Sequence, residues 1–135
     1  MTDKFFMDSN VLVYAHTDVN LAKQAIAQNI IEMQIPTISI QVLNEFSNVL
    51  HKKYKVEWSK ILKLISEISG NTVIYENTFL TVSTAINLAI KTGYAYYDSQ
   101  IIAAALDVRC TVLYSEDMQH GQIIEGRLKI INPFV

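Results

Sequence analysis

Hydrophobic residues recur with two different periods along this chain, and the two periods predict alternating helices and strands. Residues 42, 43, 46, 49 and 50 are apolar, for example, a spacing typical of one face of a helix. Such spacing predicts helices over residues 10–16, 21–33, 41–53, 58–68, 79–91 and 98–108. Runs rich in β-branched and aromatic residues predict strands over residues 4–7, 36–39, 72–75, 110–114 and 128–131.

The same spacing predicts which sides of the helices face the core. In the second helix we expect an inward face, formed by Ala22, Ala25, Ile26 and Ile30. In the fourth helix the apolar positions are 58, 61, 62, 65 and 68, and the glycine at position 70 is expected to end the helix.

The order of the elements predicts the fold class. Strands separated by helices form βαβ units, so we expect an α/β fold: a short, mostly parallel central sheet flanked by helices on both faces. A length of 135 residues fits one domain, expected to span residues 1–135. Ligands of such sheets bind at the carboxyl ends of the strands, which is where we look for chemistry.

Composition excludes several classes of protein. Half of the residues are hydrophobic and 18% are charged, which excludes a disordered tail. Neither a signal peptide nor the roughly 20-residue apolar run of a membrane helix is recognised, and the one cysteine, Cys110, excludes a disulfide scaffold. We therefore expect a cytoplasmic protein that does not span a membrane. A net charge of −2 permits a nuclease without indicating one.

Four acidic residues lie where chemistry is expected. Asp8 directly follows the first predicted strand, and Asp117 comes shortly after the fourth, so both should lie at the carboxyl edge of the sheet. Asp98 is at a predicted helix start, and Glu45 falls about 40° from Val49, at the border of an apolar helix face. Taken singly, each residue also fits an ordinary role as a helix cap, a turn residue or a surface glutamate.

The sequence around these acids resembles the motifs of the PIN-domain family. The matching segments follow in the family's order: FMDSNVLVYA (6–15), LNEF (43–46), YYDSQIIAAA (96–105), LYSEDMQHG (113–121) and INPF (131–134). The first, third and fourth segments are specific, whereas LNEF alone is weak. The resemblance covers nearly the whole chain and implies an endoribonuclease that depends on Mg²⁺ or Mn²⁺.

The resemblance also implies roles for particular residues. Asp8, Glu45, Asp98 and Asp117 would bind the metal directly or through water, and Asn10 and Ser115 match the family's polar positions around them. Clustered carboxylates repel one another, and a hard divalent cation with oxygen ligands relieves this repulsion. A bound cation lowers the pKa of water and polarises a phosphate oxygen. Glu116 and His120 stay outside this set, since the family varies at the first position and the second is typical of a loop residue.

A basic run closes the helix that carries Glu45. Lys52, Lys53 and Lys55 are candidate RNA-binding residues, with Tyr54 as a stacking surface. Cations at a helix C-terminus are also favourable on dipole grounds alone. The helix over residues 58–68, with an exposed-looking Leu64, is a candidate surface for binding a partner or forming a dimer. Alternatively, its apolar residues only cover the core.

Many small PIN proteins are VapC-like toxins of toxin–antitoxin pairs. The length of the chain resembles that group, which implies an RNA substrate, a homodimer and a small antitoxin as partners. A housekeeping RNA-processing PIN nuclease remains an alternative, because it needs the same acids.

Two other classes fit the residues less well. A non-catalytic module such as a phospho-receiver needs paired acids after its first strand, and Asp8 has no acidic neighbour; an inactive nuclease scaffold should have lost acids. A haloacid-dehalogenase-like phosphatase needs a second aspartate two residues after the first, where this chain has Asn10. A dinucleotide-binding fold is excluded because no Gly-rich loop follows a strand.

Overall fold

Strands and helices alternate along the part of the chain that the computed structural model describes, residues 4–135. The strands of this part are Phe5–Met7 (β1), Thr37–Ser39 (β2), Val73–Tyr75 (β3), Val112–Tyr114 (β4), Ile123–Ile124 (β5) and Leu128–Ile131 (β6). Its helices are Ser9–His16 (α1), Leu21–Met33 (α2), Ile40–Lys52 (α3), Trp58–Gly70 (α4), Phe79–Thr92 (α5) and Tyr96–Asp107 (α6). Residues 1–3 of the expected domain lie outside the described range.

The strands form one sheet in the order β3-β2-β1-β4-β6-β5. Every neighbouring pair is parallel except β5 with β6. In the middle of the sheet, Phe6 of β1 lies opposite Thr37 of β2 and Leu113 of β4. All three residues of β1 are buried, as expected for a central parallel strand covered on both faces.

The direction in which the chain winds reverses at β1. From β1 the chain steps to β2 and β3 on one side, and then returns to β4 and β6 on the other. Right-handed crossovers then place α1–α4 on one face and α5–α6 on the other. The helix contacts agree, since α1 packs on α2 and α3, and α5 packs on α6. The predicted α/β fold class is confirmed, and the crevice between the carboxyl ends of β1 and β4 is the place for a ligand.

The predicted inward face of α2 was wrong for most of its residues. Ala27 and Ile30 are buried, whereas Ala22, Ala25 and Ile26 are exposed. The reason is tertiary: α2 packs on α1, so it turns the side that carries Ala27 inward.

Helix α4 also departs from its predicted face. Ile61 and Ile68 are buried as predicted, but the side chains of Trp58 and Leu62 are 57% and 63% exposed. Leu64, which looked exposed, is half-buried against the core. The apolar residues of α4 therefore exceed what the core takes up.

One boundary was also misplaced, and one strand was missed. Gly70 is the last residue of α4 and Asn71 is the C-cap, with Asn71 Nδ2 donating to the carbonyl of Glu67 at 2.8 Å. Strand β5 was not predicted, because two residues are too short for an alternating pattern and its partner β6 alone defines it. No helix within residues 4–135 is both long and apolar enough to cross a membrane.

Candidate active site

Asp8 occupies the junction between β1 and α1. It is the N-cap of α1, and its Oδ1 accepts a hydrogen bond from the backbone N–H of Ser9 at 2.7 Å. Its Oδ2 accepts from the Ser115 hydroxyl at 2.8 Å, just beyond the end of β4. The side chain of Ser115 is fully buried and Asp8 is only 4% exposed. The residues that follow the two central strands, Ser9 and Ser115, thus hold both oxygens of one carboxylate.

Burial changes the acidity of Asp8. Desolvation raises its pKa to about 7, although the hydrogen bonds from Ser115 and Ser9 lower it. The negative charges of Glu45 and Asp98 make smaller contributions to this rise. Without a cation nearby, this carboxylate therefore holds a proton up to near-neutral pH.

Glu45 reaches the same edge from α3, the helix that follows β2. Ser39 caps α3, since its Oγ accepts from the N–H of Val42 at 3.2 Å. Glu45 Oε1 accepts from the Ser9 hydroxyl at 3.1 Å, and Oε2 accepts from Gln41 Nε2 at 3.3 Å. Ser9 therefore links Glu45 to Asp8, which directly precedes Ser9 in the chain.

Asp117 lies on the loop after β4 and is exposed. Its Oδ2 accepts from Asn10 Nδ2 at 3.0 Å, while Asn10 Oδ1 accepts from the N–H of Glu116 at 3.1 Å. The N–H of Asp117 donates to Ser115 Oγ at 3.3 Å. Asn10 and Ser115, both singled out from the sequence, thus connect this loop to α1 and to Asp8.

Asp98 lies in the first turn of α6 rather than at its start. The helix begins at Tyr96 and its N-cap, Ala95, has no capping side chain, so the predicted start at residue 98 was two residues late. Burial raises the pKa of Asp98, and the charge of Asp117 raises it further. The two carboxylates therefore repel each other across the crevice.

The chemistry of these four acids fits a hard divalent cation, because all the donors are oxygens and two of the acids have raised pKa values. Asp8, Glu45 and Asp117 are linked by hydrogen bonds through Ser9, Ser115 and Asn10, whereas Asp98 is coupled to Asp8 and Asp117 by charge alone among these contacts. Within residues 4–135 no group of three or more His, Cys, Asp or Glu side chains is arranged to hold a metal ion. The fold thus brings the predicted acids to one edge but does not gather them into a coordination shell.

Glu116 is kept apart from the four acids by partners that sequence reasoning missed. Its carboxylate accepts from the Tyr14 hydroxyl at 2.8 Å and forms an ion pair with Lys23 of α2. Lys23 Nζ also lies 4.8 Å from the centre of the Tyr14 ring and 5.3 Å from that of Phe134. No spacing rule links these positions, since they are up to 120 residues apart in the chain. As expected for a loop residue, His120 has a structural contact, in which its Nδ1 accepts from the N–H of Asn132 at 3.0 Å.

The basic run after α3 divides into two parts. Lys53 and Tyr54 line a pocket of about 220 Å³ together with Asp117, and Lys53 Nζ lies 5.4 Å from the centre of the Tyr54 ring. Lys52 and Lys55 are exposed and do not line this pocket. Of the three lysines in this run, Lys53 is thus the one that borders the pocket of Asp117.

A comparison with models of known protein families gives a match over most of the chain. The model of the PIN domain family matches residues 5–123. The chain belongs to the PIN domain family. In this PIN domain, the matched range includes the four acids and strands β1 to β4, and it ends within β5. A comparison with curated proteins finds no match.

Solved structures share this fold at low sequence identity. VapC20 of Mycobacterium tuberculosis, a toxin that cleaves the sarcin–ricin loop, is 14% identical with a TM-score of 0.71, over 84% of this chain and 90% of that one. VapBC2 of Rickettsia felis, bound to a DNA fragment from its promoter, is 14% identical with a TM-score of 0.67, over 93% and 96%. FitAcB of Neisseria gonorrhoeae is 19% identical with a TM-score of 0.59, over 96% and 98%.

Proposed function

We propose that this PIN domain is an endoribonuclease that depends on Mg²⁺ or Mn²⁺ and hydrolyses phosphodiester bonds of RNA. The observation that supports the proposal is that four acids from separate segments, Asp8, Glu45, Asp98 and Asp117, lie near enough to influence one another without forming a closed cluster. The charges of Glu45 and Asp98 raise the pKa of Asp8, and the charge of Asp117 raises the pKa of Asp98.

The protein's own residues supply position and charge. A bound cation activates water and neutralises charge on the phosphate. Asp8, Glu45, Asp98 and Asp117 would hold it, with Asp8 as the buried anchor. Ser115 and Ser9 fix the two oxygens of Asp8, and Asn10 fixes Asp117. Such contacts orient metal ligands and raise affinity for the ion.

The RNA backbone is proposed to pass over the end of α3. Lys53 and Tyr54 border the pocket that contains Asp117, so Lys53 can contact a phosphate and Tyr54 a base. Lys52 and Lys55 are exposed nearby and add longer-range electrostatic attraction for the RNA backbone.

We further propose that the protein is the cytoplasmic toxin of a type II toxin–antitoxin pair. Two of the structural neighbours carry VapC or VapBC in their names, and VapC20 is described as a toxin. Exposed Trp58 and Leu62 on α4 suit the apolar side chains of a small antitoxin. A homodimer would use α5, where Phe79 and Ile90 are 85% and 78% exposed.

The test is RNA cleavage by the purified chain with Mg²⁺ or Mn²⁺, with EDTA, and by Asp8→Asn and Asp98→Asn variants. Asp107→Asn is the matched control, because Asp107 is an exposed acid at the other end of α6. We expect cutting that EDTA and both active-site variants abolish, and that the control retains. Metal-independent cutting, or an active Asp8→Asn variant, would refute the proposed mechanism.

Expression in a bacterial host separates the toxin from a housekeeping nuclease. A toxin should arrest growth, and Asp98→Asn should relieve the arrest. Growth that continues while the purified protein cuts RNA would favour the RNA-processing role.

A further inference from the structure

A second pocket, of about 500 Å³, lies beside the acidic edge and is lined mainly by side-chain amides. Its polar lining consists of four carboxamides, one carboxylate and one tyrosine: Gln41, Asn44, Asn77, Gln100, Glu76 and Tyr97. We call it the amide pocket. Its volume is within the range of about 300–1,000 Å³ that is usual for small-ligand sites.

The amide pocket is joined directly to the proposed catalytic acids. Gln41 Nε2 donates to Glu45 Oε2 at 3.3 Å and to the backbone carbonyl of Tyr97 at 2.9 Å. Tyr97 precedes Asp98 in the chain, and its side chain is 65% exposed. A ligand in this pocket therefore lies next to two of the four acids, whereas the pocket of Lys53 and Tyr54 contains Asp117.

The hydrogen-bonding groups of the amide pocket are biased toward acceptors. The Nε2 group of Gln41 is already used twice, and Gln100 Nε2 donates to the Tyr96 hydroxyl at 3.0 Å. By contrast, Gln41 Oε1 and Asn77 Oδ1 are buried without a hydrogen-bond partner among the described residues. A buried acceptor without a donor is unfavourable, and the Glu76 carboxylate adds a further acceptor. The two amide oxygens have almost no exposed surface, so the acceptor that stands open in the pocket is the carboxylate of Glu76, an exposed residue. The pocket thus favours a ligand that brings hydrogen-bond donors.

We propose that the amide pocket binds one nucleobase of the RNA and prefers a base with an exocyclic amino group. The inference rests on the proposed nuclease function and names a specificity site for it. Adenine, cytosine and guanine carry amino donors that match the acceptors, whereas uracil has a single ring N–H between two carbonyls. Tyr97 provides the stacking face that single-stranded RNA recognition uses. A phosphate is disfavoured here, because the Glu76 carboxylate would repel it.

The test measures binding rather than cutting, so that it is independent of the nuclease activity. The full chain with Asp8→Asn is titrated, in EDTA, into 5′-fluorescent RNA pentamers of adenosine, cytidine or uridine, and Kd is read from anisotropy. We expect the adenosine and cytidine pentamers to bind at least about 5-fold more tightly than the uridine pentamer, since uracil has no amino group to donate to the Glu76 carboxylate.

Variants assign that preference to the pocket. Asn77→Ala and Glu76→Ala should reduce the preference for adenosine over uridine to less than about 2-fold, because they remove acceptors. Tyr97→Leu should weaken all three pentamers about 10-fold, and Tyr97→Phe should restore them because the ring is kept. Asn48→Ala is the matched control, since Asn48 is an exposed amide of α3 outside the pocket.

Three outcomes would overturn the base assignment: no pentamer binds, uridine binds as well as adenosine, or the pocket variants leave the preference unchanged. A base preference in a chain that cuts no RNA would retain the pocket and refute the nuclease. Cutting of RNA without a base preference would retain the proposed nuclease and refute the base assignment.

Discussion

The aspartates of the candidate active site show how strongly environment changes one type of side chain. Asp8 is buried and has a pKa raised to about 7, whereas Asp117 is exposed on a loop. Asp98 lies between these extremes, half-buried with a raised pKa. Because only the ionised form of Asp8 suits a cation, binding of metal and release of its proton should be coupled.

This coupling predicts that the metal-free protein loses stability as pH rises. The pKa of Asp8 is 3.8 in the unfolded chain and about 7 when folded, so the folded state keeps a proton that unfolding releases. The stabilisation is complete below about pH 4 and is lost by about pH 7. In EDTA, Asp8→Asn should therefore be more stable than the parent at pH 8, by up to about 4 kcal/mol, and much less so at about pH 4.5.

Thermal melts at the two pH values check this prediction, with Asp18→Asn as the control because Asp18 is exposed. An Asp8→Asn gain of the same size at both pH values would contradict it.

Removal of the Ser115 hydroxyl should show whether Ser115 positions Asp8 or only contributes to packing. Its buried hydroxyl donates to Asp8 and accepts from the N–H of Asp117. Ser115→Ala should reduce metal-dependent cleavage about 10- to 100-fold. It should also move the titration of Asp8 to higher pH, because the hydrogen bond that it removes lowers the pKa of Asp8. Ser69→Ala, at an exposed serine, should change neither; an unchanged titration would mean that Ser115 acts only in packing.

At the scale of elements, three features of the candidate site lie along α3. Ser39 caps its start, Glu45 reaches the acids from its middle, and its basic end places Lys53 beside the pocket of Asp117. Periodicity assigned Glu45 to the border of the apolar face, and its half-buried side chain agrees. The last turn was harder to interpret, because the helix dipole and RNA binding favour the same lysines.

Substitution of Lys52 and Lys53 by alanine distinguishes these two roles. The double variant should bind RNA more weakly and show a flatter dependence of log Kd on log salt, by about 0.7 for each phosphate that is no longer neutralised. Lys53→Ala alone should account for most of the change, because Lys53 lines the pocket. Lys129→Ala, at an exposed lysine of β6, is the control. An unchanged salt slope would leave the basic run with only its dipole role.

At the scale of the whole molecule, the core leaves several apolar side chains exposed. They include Trp58 and Leu62 of α4, and Phe79, Ile86 and Ile90 of α5. The α5 residues follow one another at intervals of seven and four positions, so they share one helix face. Such patches mark interaction sites.

If α5 forms the proposed dimer face, one charge on it should disrupt the dimer. Ile90→Glu should shift the chain from dimer to monomer in sedimentation or light scattering, since a buried carboxylate without a partner is strongly unfavourable. Val135→Glu is the control, because Val135 is similarly exposed at the end of the chain. A parent that is monomeric at high concentration would refute the dimer.

Sequence by itself determined the type and order of nearly all the elements and the edge at which Asp8 and Asp117 lie. These properties are local: hydrophobic periodicity, strand length and the residue that follows a strand are all read within a few positions. Asn10 and Ser115 were found through the resemblance to the PIN-domain motifs, which are also local in the chain, since each of the two residues lies within two positions of an acid.

Only the tertiary structure decided the side of α2 that is buried, the existence of β5, the pairing of Glu116 with Lys23 and the amide pocket. Each depends on partners from distant segments, such as Gln41 and Asn77, which line one pocket although 36 positions separate them. The physical reason is that packing and hydrogen bonding select among faces and partners that local spacing leaves equivalent.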